Sequence, residues 1–94
     1  RQAVALANKV GAFHDTLGWA LRASGDLKAA AAGLGEAVRL DGKSARYNFH
    51  LGVVQAEQND HGAARKSLQM ALDLDAKFAD AEQARRLLAA LPKS

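Results

Sequence analysis

The residues with chemistry to offer are His14, His50 and His61, the hydroxyls of Ser24, Ser44 and Ser67, and a scatter of Asp and Glu. A metal centre needs three or four ligands converging on one point. His14 and His50 stand two positions apart in the repeat described below, and no carboxylate cluster joins them. Nucleophilic catalysis needs a base within hydrogen-bond reach and a third group to orient it. No serine has such partners at a suggestive spacing, and Ser44 reads as a helix cap. Gly33-Leu34-Gly35 lies inside a helical pattern, with no strand before it and no Lys-Ser or Lys-Thr after it, so it does not cradle phosphate. There is no cysteine, which removes disulfides and thiolate sites. The expectation is therefore no catalytic, cofactor-binding or metal-ligating residue, no cofactor, and no enzyme activity.

What remains to explain is a chain built for helices. Alanine makes up about a quarter of it, and alanine is the best helix former while letting neighbouring helices approach closely. β-branched residues are confined to Val4, Val10, Thr16, Val38, Val53 and Val54, with no isoleucine, which argues against a sheet. The single proline, Pro92, stands near the end. No apolar run is long enough to cross a bilayer, so no direct membrane insertion is expected. The formal net charge is +3, but Lys and Arg are spread from Arg1 to Lys93 among Asp and Glu. Nucleic-acid binding wants a clustered basic face, so no nucleic-acid partner is expected.

Offset by thirty-four residues, the chain matches itself without a gap. Leu17-Gly18 falls on Leu51-Gly52, Asp26 on Asp60, Ala30 on Ala64, Leu34 on Leu68, Ala37 on Ala71, and Leu40-Asp41 on Leu74-Asp75. Gly25 falls on Asn59, and both tolerate the left-handed conformation that ends a helix. The pattern predicts a first helix over 11–24 and a second, capped by Asp26, carrying Leu27, Ala30, Leu34, Ala37 and Leu40. Ser44 then caps a third helix to about Gln58, and Asp60 caps a fourth carrying Ala63, Ala64, Leu68, Ala71 and Leu74. A last helix over 79–91 carries Ala84, Leu87, Leu88 and Leu91, and Pro92 stops it. Gly18 and Gly52 sit mid-helix, where glycine costs about 1 kcal/mol relative to alanine. Close approach of the second helix of each unit, with Ala30 and Ala64 opposite, offsets that cost. Leu17, Leu34, Leu51 and Leu68 are expected to fill the space on either side. Gly33 and Gly35 weaken their helix with no evident reason.

These residues resemble the tetratricopeptide repeat family. Its Leu-Gly pair and both alanines stand in each unit, at Leu17-Gly18, Ala30 and Ala37 and at Leu51-Gly52, Ala64 and Ala71. The family's aromatic positions hold Leu21 and Gln55, then Leu34 and Leu68; its proline position holds Gly42 and Ala76. The resemblance implies an all-α fold, antiparallel helix pairs stacked as a right-handed superhelix, an α-solenoid fragment. It divides one domain, 1–94, into the tail of a preceding repeat (1–10), repeat one (11–44), repeat two (45–78) and a C-terminal capping helix (79–92). The chain opens at Arg1 without methionine and reads as an excised piece. His14-Asp15-Thr16-Leu17-Gly18-Trp19-Ala20-Leu21 is similar to a segment common in bacterial repeat proteins associated with exopolysaccharide and PEP-CTERM export systems. That likeness implies the C-terminal end of a bacterial protein, periplasmic or membrane-associated.

In this family the first helices line a concave groove that binds a protein or peptide, so the chain is expected to be an interaction scaffold. Carried over by position, the groove presents Asp15, Trp19 and Arg22 from unit one and Arg46, Phe49 and Val53 from unit two. Ala12, Ala23, Ala56 and Glu57 stand beside them, and Lys43 and Lys77 at the rim. The family's chaperone-binding branch clamps a terminal carboxylate with Lys and Asn; Asp15, Trp19, Phe49 and Val53 replace them, so that ligand type is not expected. For Trp19, packing between neighbouring first helices weighs evenly against ligand contact; for Phe49, packing is the favoured reading. The alternative function is a homo-oligomer, joined through apolar residues of the upstream end around Val4, Leu6 and Val10, or an accessory domain of a bacterial export or polysaccharide assembly.

Overall fold

The computed structural model describes the backbone of residues 2–92 and the side chains of residues 9–92. Five helices follow one another: α1 (Gln2–Ala23), α2 (Leu27–Leu40), α3 (Ala45–Glu57), α4 (His61–Leu74) and α5 (Ala81–Ala90). There is no strand among the described residues, and none of their helices is long and apolar enough to cross a membrane. Helices adjacent in the chain pack on one another, α1 on α2, α2 on α3, α3 on α4 and α4 on α5, and α1 also meets α3.

The chain punctuates these helices with the same local chemistry twice. Gly25 takes φ +92° and Asn59 φ +64°, the left-handed conformation that turns the chain out of a helix. The N–H of Asp26 donates to the carbonyl of Leu21 (3.0 Å) and that of Gly25 to Arg22 (3.0 Å). One repeat later, Asp60 donates to Gln55 (2.9 Å) and Asn59 to Ala56 (3.0 Å). These paired bonds satisfy carbonyls that a helix end would otherwise leave open. The second turn repeats as well: Asp41 Oδ1 accepts from the N–H of Lys43 (3.2 Å) and Asp75 Oδ1 from that of Lys77 (3.0 Å). Asp26 caps α2 by accepting from Ala29 N (3.1 Å), and Ser44 caps α3 by accepting from Tyr47 N (3.1 Å). Asp60 holds the matching position on α4, but its side chain makes no cap hydrogen bond.

The glycine contact explains the pairing of helices. A Cβ placed on Gly18 would lie 2.8 Å from Leu34 Cγ, and one on Gly52 would lie 2.8 Å from Leu68 Cγ. Each unit thus drives a fully buried leucine of its second helix into the gap left by a glycine of its first. The opposing side chain is leucine, not the expected alanine; Ala30 contributes its backbone, with its carbonyl oxygen 3.2 Å from the same point. Gly33 belongs to this contact too, since a Cβ there would stand 3.5 Å from Gly18 Cα and 3.5 Å from the His14 carbonyl. Gly35 faces open space.

Three expectations need correction. Leu17 does not fill the core beside Gly18: it is 43% exposed, on an outward face of α1 shared with Val10 and Phe13. Its counterpart Leu51 is half-buried against Ala30, Leu34 and Val54, because α2 covers that side of α3. Secondly, α1 runs unbroken through the boundary placed between residues 10 and 11. Neither Asn8 nor Gly11 is followed by a capping residue, and an isolated glycine costs only about 1 kcal/mol in a helix. The side chains of Val4 and Leu6, like those of residues 1–8 as a whole, lie outside the described ones. Thirdly, α5 begins at Ala81, two residues later than expected, after a turn in which the Ala81 N–H donates to the Phe78 carbonyl (3.0 Å).

Candidate functional site

The first helices α1 and α3 lie side by side, and their seam gathers the polar residues of the expected groove. Pairs across it are separated by thirty-five residues, one more than the repeat: Asp15 meets His50, and Arg22 meets Glu57. Asp15 is 2% exposed, and its Oδ1 lies 2.7 Å from His50 Nδ1. An ionised carboxylate can only accept, so Nδ1 carries the hydrogen and donates it. The second oxygen of Asp15 lies 3.3 Å from Nε of Arg46, one helical turn before His50 on α3. The buried carboxylate is therefore held between an imidazole and a guanidinium, which is the condition for burying a charge without a large penalty.

The same imidazole supports Trp19. The two rings stack at 3.9 Å between centroids, inclined by 22°. The Arg22 guanidinium lies over the indole at 4.6 Å, a cation–π contact of about 0.5–1 kcal/mol at a partly exposed site. Arg22 also donates from Nε to Glu57 Oε1 (2.7 Å) and from Nη2 to Oε2 (2.8 Å), a two-pronged pair whose planar fork matches a carboxylate. A continuous line results, Arg46–Asp15–His50–Trp19–Arg22–Glu57, with two carboxylates set against two guanidiniums and an imidazole. Tyr47 stands beside it, its ring against Gly11 of α1. Burial holds its hydroxyl above the usual tyrosine range, and the negative charges of Asp15 and Asp41 push the same way.

Only half of the expected groove residues can therefore meet a ligand. Asp15, Phe49 and Val53 are buried, the first in the polar line and the other two in the core. Phe49 and Val53 pack with Leu68, Ala71 and Ala84, sealed by Leu87, Leu88 and Leu91, and the Phe49 ring meets Phe78 edge-on at 5.7 Å. The apolar face of α5 covers them, through Ala84, Leu87, Leu88 and Leu91. Trp19 stays half-buried, while the side chains of Arg22 and Arg46 are 31% and 69% exposed. Lys43 and Lys77 are exposed in the loops before α3 and α5.

The sequence reading missed His50, the hub of this seam. A search for complementary pairs at the repeat length plus one would have found both Asp15–His50 and Arg22–Glu57. The other candidates have structural partners: Ser44 caps α3, Ser24 Oγ donates to the Leu21 carbonyl (2.9 Å), and Ser67 Oγ donates to Gln55 Oε1 (2.7 Å) across α3 and α4. His14 rests against the edge of Phe13, ring to ring at 5.7 Å. Among the described residues no three His, Asp or Glu side chains come together as metal ligands. A surface pocket of about 460 Å³ runs along α4, lined by Arg65, Lys66, Gln69, Met70 and Asp73 from that one helix.

No protein-family model matches the chain, and no curated protein sequence matches it.

Proposed function

We propose that the chain is a tetratricopeptide-type stack of helix pairs that binds a segment of another protein along the exposed edge of the α1–α3 seam. The repeated turns, the repeated glycine–leucine contact and the sequential packing of helices support the stack. The observation that carries the binding reading is the setting of Trp19. Its indole is stacked on His50 at 3.9 Å with Arg22 above it, so it is already ordered before any ligand arrives. An ordered aromatic loses little freedom on binding, and Trp and Arg are enriched among interface hot spots.

Arg46 supplies the exposed charge. Its one close carboxylate, Asp15, is 3.3 Å away, and 69% of its side chain remains in water, which leaves donors for a ligand's acid. Arg22 is committed to Glu57 and serves as a wall. The surface suits an extended or helical segment with one apolar anchor for Trp19 and an Asp or Glu beside it for Arg46. Lys43 and Lys77 extend the positive rim.

The chain has one tryptophan, so its emission reports on this edge alone. Titration with a panel of peptides carrying an aromatic or leucine anchor next to an acidic residue should shift that emission saturably. Arg46→Glu should weaken the response by about tenfold, the value of one lost charge-assisted contact. A panel that never moves Trp19, or a response indifferent to Arg46→Glu, would contradict the reading.

A further inference from the structure

The seam between α1 and α3 holds one group whose charge changes near neutral pH. His50 is 6% exposed and stands at the centre of the polar line. Its Nδ1 donates to Asp15 Oδ1 at 2.7 Å, and its ring stacks on Trp19 at 3.9 Å. An imidazole ordinarily gains or loses its second proton between about pH 5 and 8. Here that proton goes to Nε2, because Nδ1 already carries one. No described side chain bonds to Nε2, and among the described residues no buried side-chain nitrogen or oxygen lacks a partner. Nε2 therefore reaches water, and a proton arrives without the seam opening.

The surroundings hold the added charge. From α1, the Asp15 carboxylate bonds the ring and attracts it. Arg22, over the same indole at 4.6 Å, opposes it, and Glu57, bonded to Arg22, offsets that opposition. On α3 itself, Arg46 also opposes it from the other oxygen of Asp15, but most of the Arg46 side chain is in water. Tyr47 stays protonated, its hydroxyl held above the usual tyrosine range. Around α3, α2 contributes Ala30 and Leu34, α4 contributes Ser67 and Leu68, and α5 contributes Ala84, none of them charged. The nearest charge is thus the favourable one, and an imidazolium over an indole face gains a cation–π contact besides. With His50 neutral, the two guanidiniums and two carboxylates of the line cancel. With His50 protonated, the line carries one net positive charge, placed against Trp19.

We infer that His50 makes capture of an acidic segment at the Trp19 edge depend on pH: protonated, it draws the ligand's Asp or Glu more tightly, and neutral, it loosens the hold. The inference rests on the binding edge proposed above and adds its regulation. Arg46 is charged at every pH of the interval, so it supplies the constant part of the attraction and His50 the variable part. One added charge acting through a partly solvated surface changes affinity by about fivefold.

The one tryptophan makes the proton visible before any ligand is added. An imidazolium in ring contact with an excited indole accepts charge from it and quenches its emission. From about pH 8 down to about pH 5.5, the ligand-free chain should show one sigmoidal fall in Trp19 emission, sharing its midpoint with the ring shifts of one histidine by NMR. The step should remain in His14→Asn and His61→Asn and vanish in His50→Asn, whose amide N–H replaces the donor to Asp15. Should His50→Asn not fold, the other two variants identify the titrating residue by elimination. By calorimetry, the tightest peptide of the panel should bind about fivefold more tightly at the acid end, where its carboxylate is still ionised, and equally at both ends in His50→Asn. An emission indifferent to pH, or a step that belongs to His14 or His61, would overturn the inference. So would a peptide that the parent chain binds equally at both ends, an outcome that leaves the binding edge standing. A panel that binds at neither pH removes the edge and this inference together.

Discussion

Replacing Gly52 by alanine adds one methyl group at the tightest point between α3 and α4. Its Cβ would lie 2.8 Å from Leu68 Cγ, 2.9 Å from Cδ2 and 3.2 Å from the Leu68 backbone nitrogen, where ordinary contact begins near 3.4 Å. Leu68 is fully buried, so it has no free space to retreat into, and its nitrogen is fixed in α4. Overpacking of this kind costs about 1–3 kcal/mol. Removing a mid-helix glycine recovers up to about 1 kcal/mol. The balance is a net loss of about 1 kcal/mol, or roughly 4–8 °C in Tm for a domain of this size. Gly35 is the control, since it too is helical but its Cβ would meet nothing within 4 Å. Gly35→Ala should therefore raise Tm, by up to about 4–8 °C. Thermal melts by circular dichroism, with urea midpoints beside them, separate the two. A Gly52→Ala chain that melts above the parent, as Gly35→Ala should, would refute the glycine–leucine contact as the reason for the repeated Leu-Gly.

Three further outcomes follow from the same geometry. Asp15→Ala leaves the His50 Nδ1 donor buried without its acceptor and should cost about 3 kcal/mol by urea denaturation, whereas Arg22→Ala, which breaks a partly exposed pair, should cost about 1 kcal/mol. Asp26→Ala should destabilise by about 1 kcal/mol and Asp60→Ala by clearly less, because only Asp26 makes the cap hydrogen bond. Tyr47 is the only tyrosine, so tyrosinate absorbance titrates it alone. Its midpoint should lie above the ordinary 10.0 in the folded chain and return there in urea. The folded state holds that proton more tightly than the unfolded one, so Tyr47 contributes stability below pH 10 that is lost as pH rises through the folded value. Tyr47→Phe should reduce that alkaline loss.

The periodicity of the sequence carried much of the fold because each helix boundary is a local event. Gly25 and Asn59 take left-handed conformations, and Asp26 and Ser44 cap, through contacts within six residues of themselves. The glycine–leucine contact was half legible: a costly mid-helix glycine signals close approach, but which side chain fills the gap depends on how α2 sits across α1. Leu17 shows where the repeat misleads. Equivalence with Leu51 implies burial only if a helix covers the same face, and α2 covers that face of α3 while no described element covers the corresponding face of α1. The seam was the least legible part. Thirty-four-residue matching aligns Asp15 with Phe49 and Thr16 with His50, residues that occupy equivalent places and never touch. Contacts between neighbouring first helices are displaced from that register by one residue, which is why Asp15 finds His50.

The most direct test of the proposed binding edge is a charge swap at Arg46. The tightest peptide from the panel should lose about tenfold in affinity against Arg46→Glu, and exchanging its acidic residue for lysine should restore binding to that variant while weakening it against the parent chain. An affinity unchanged in both crosses would place the ligand away from Trp19 and Arg46 and contradict the account.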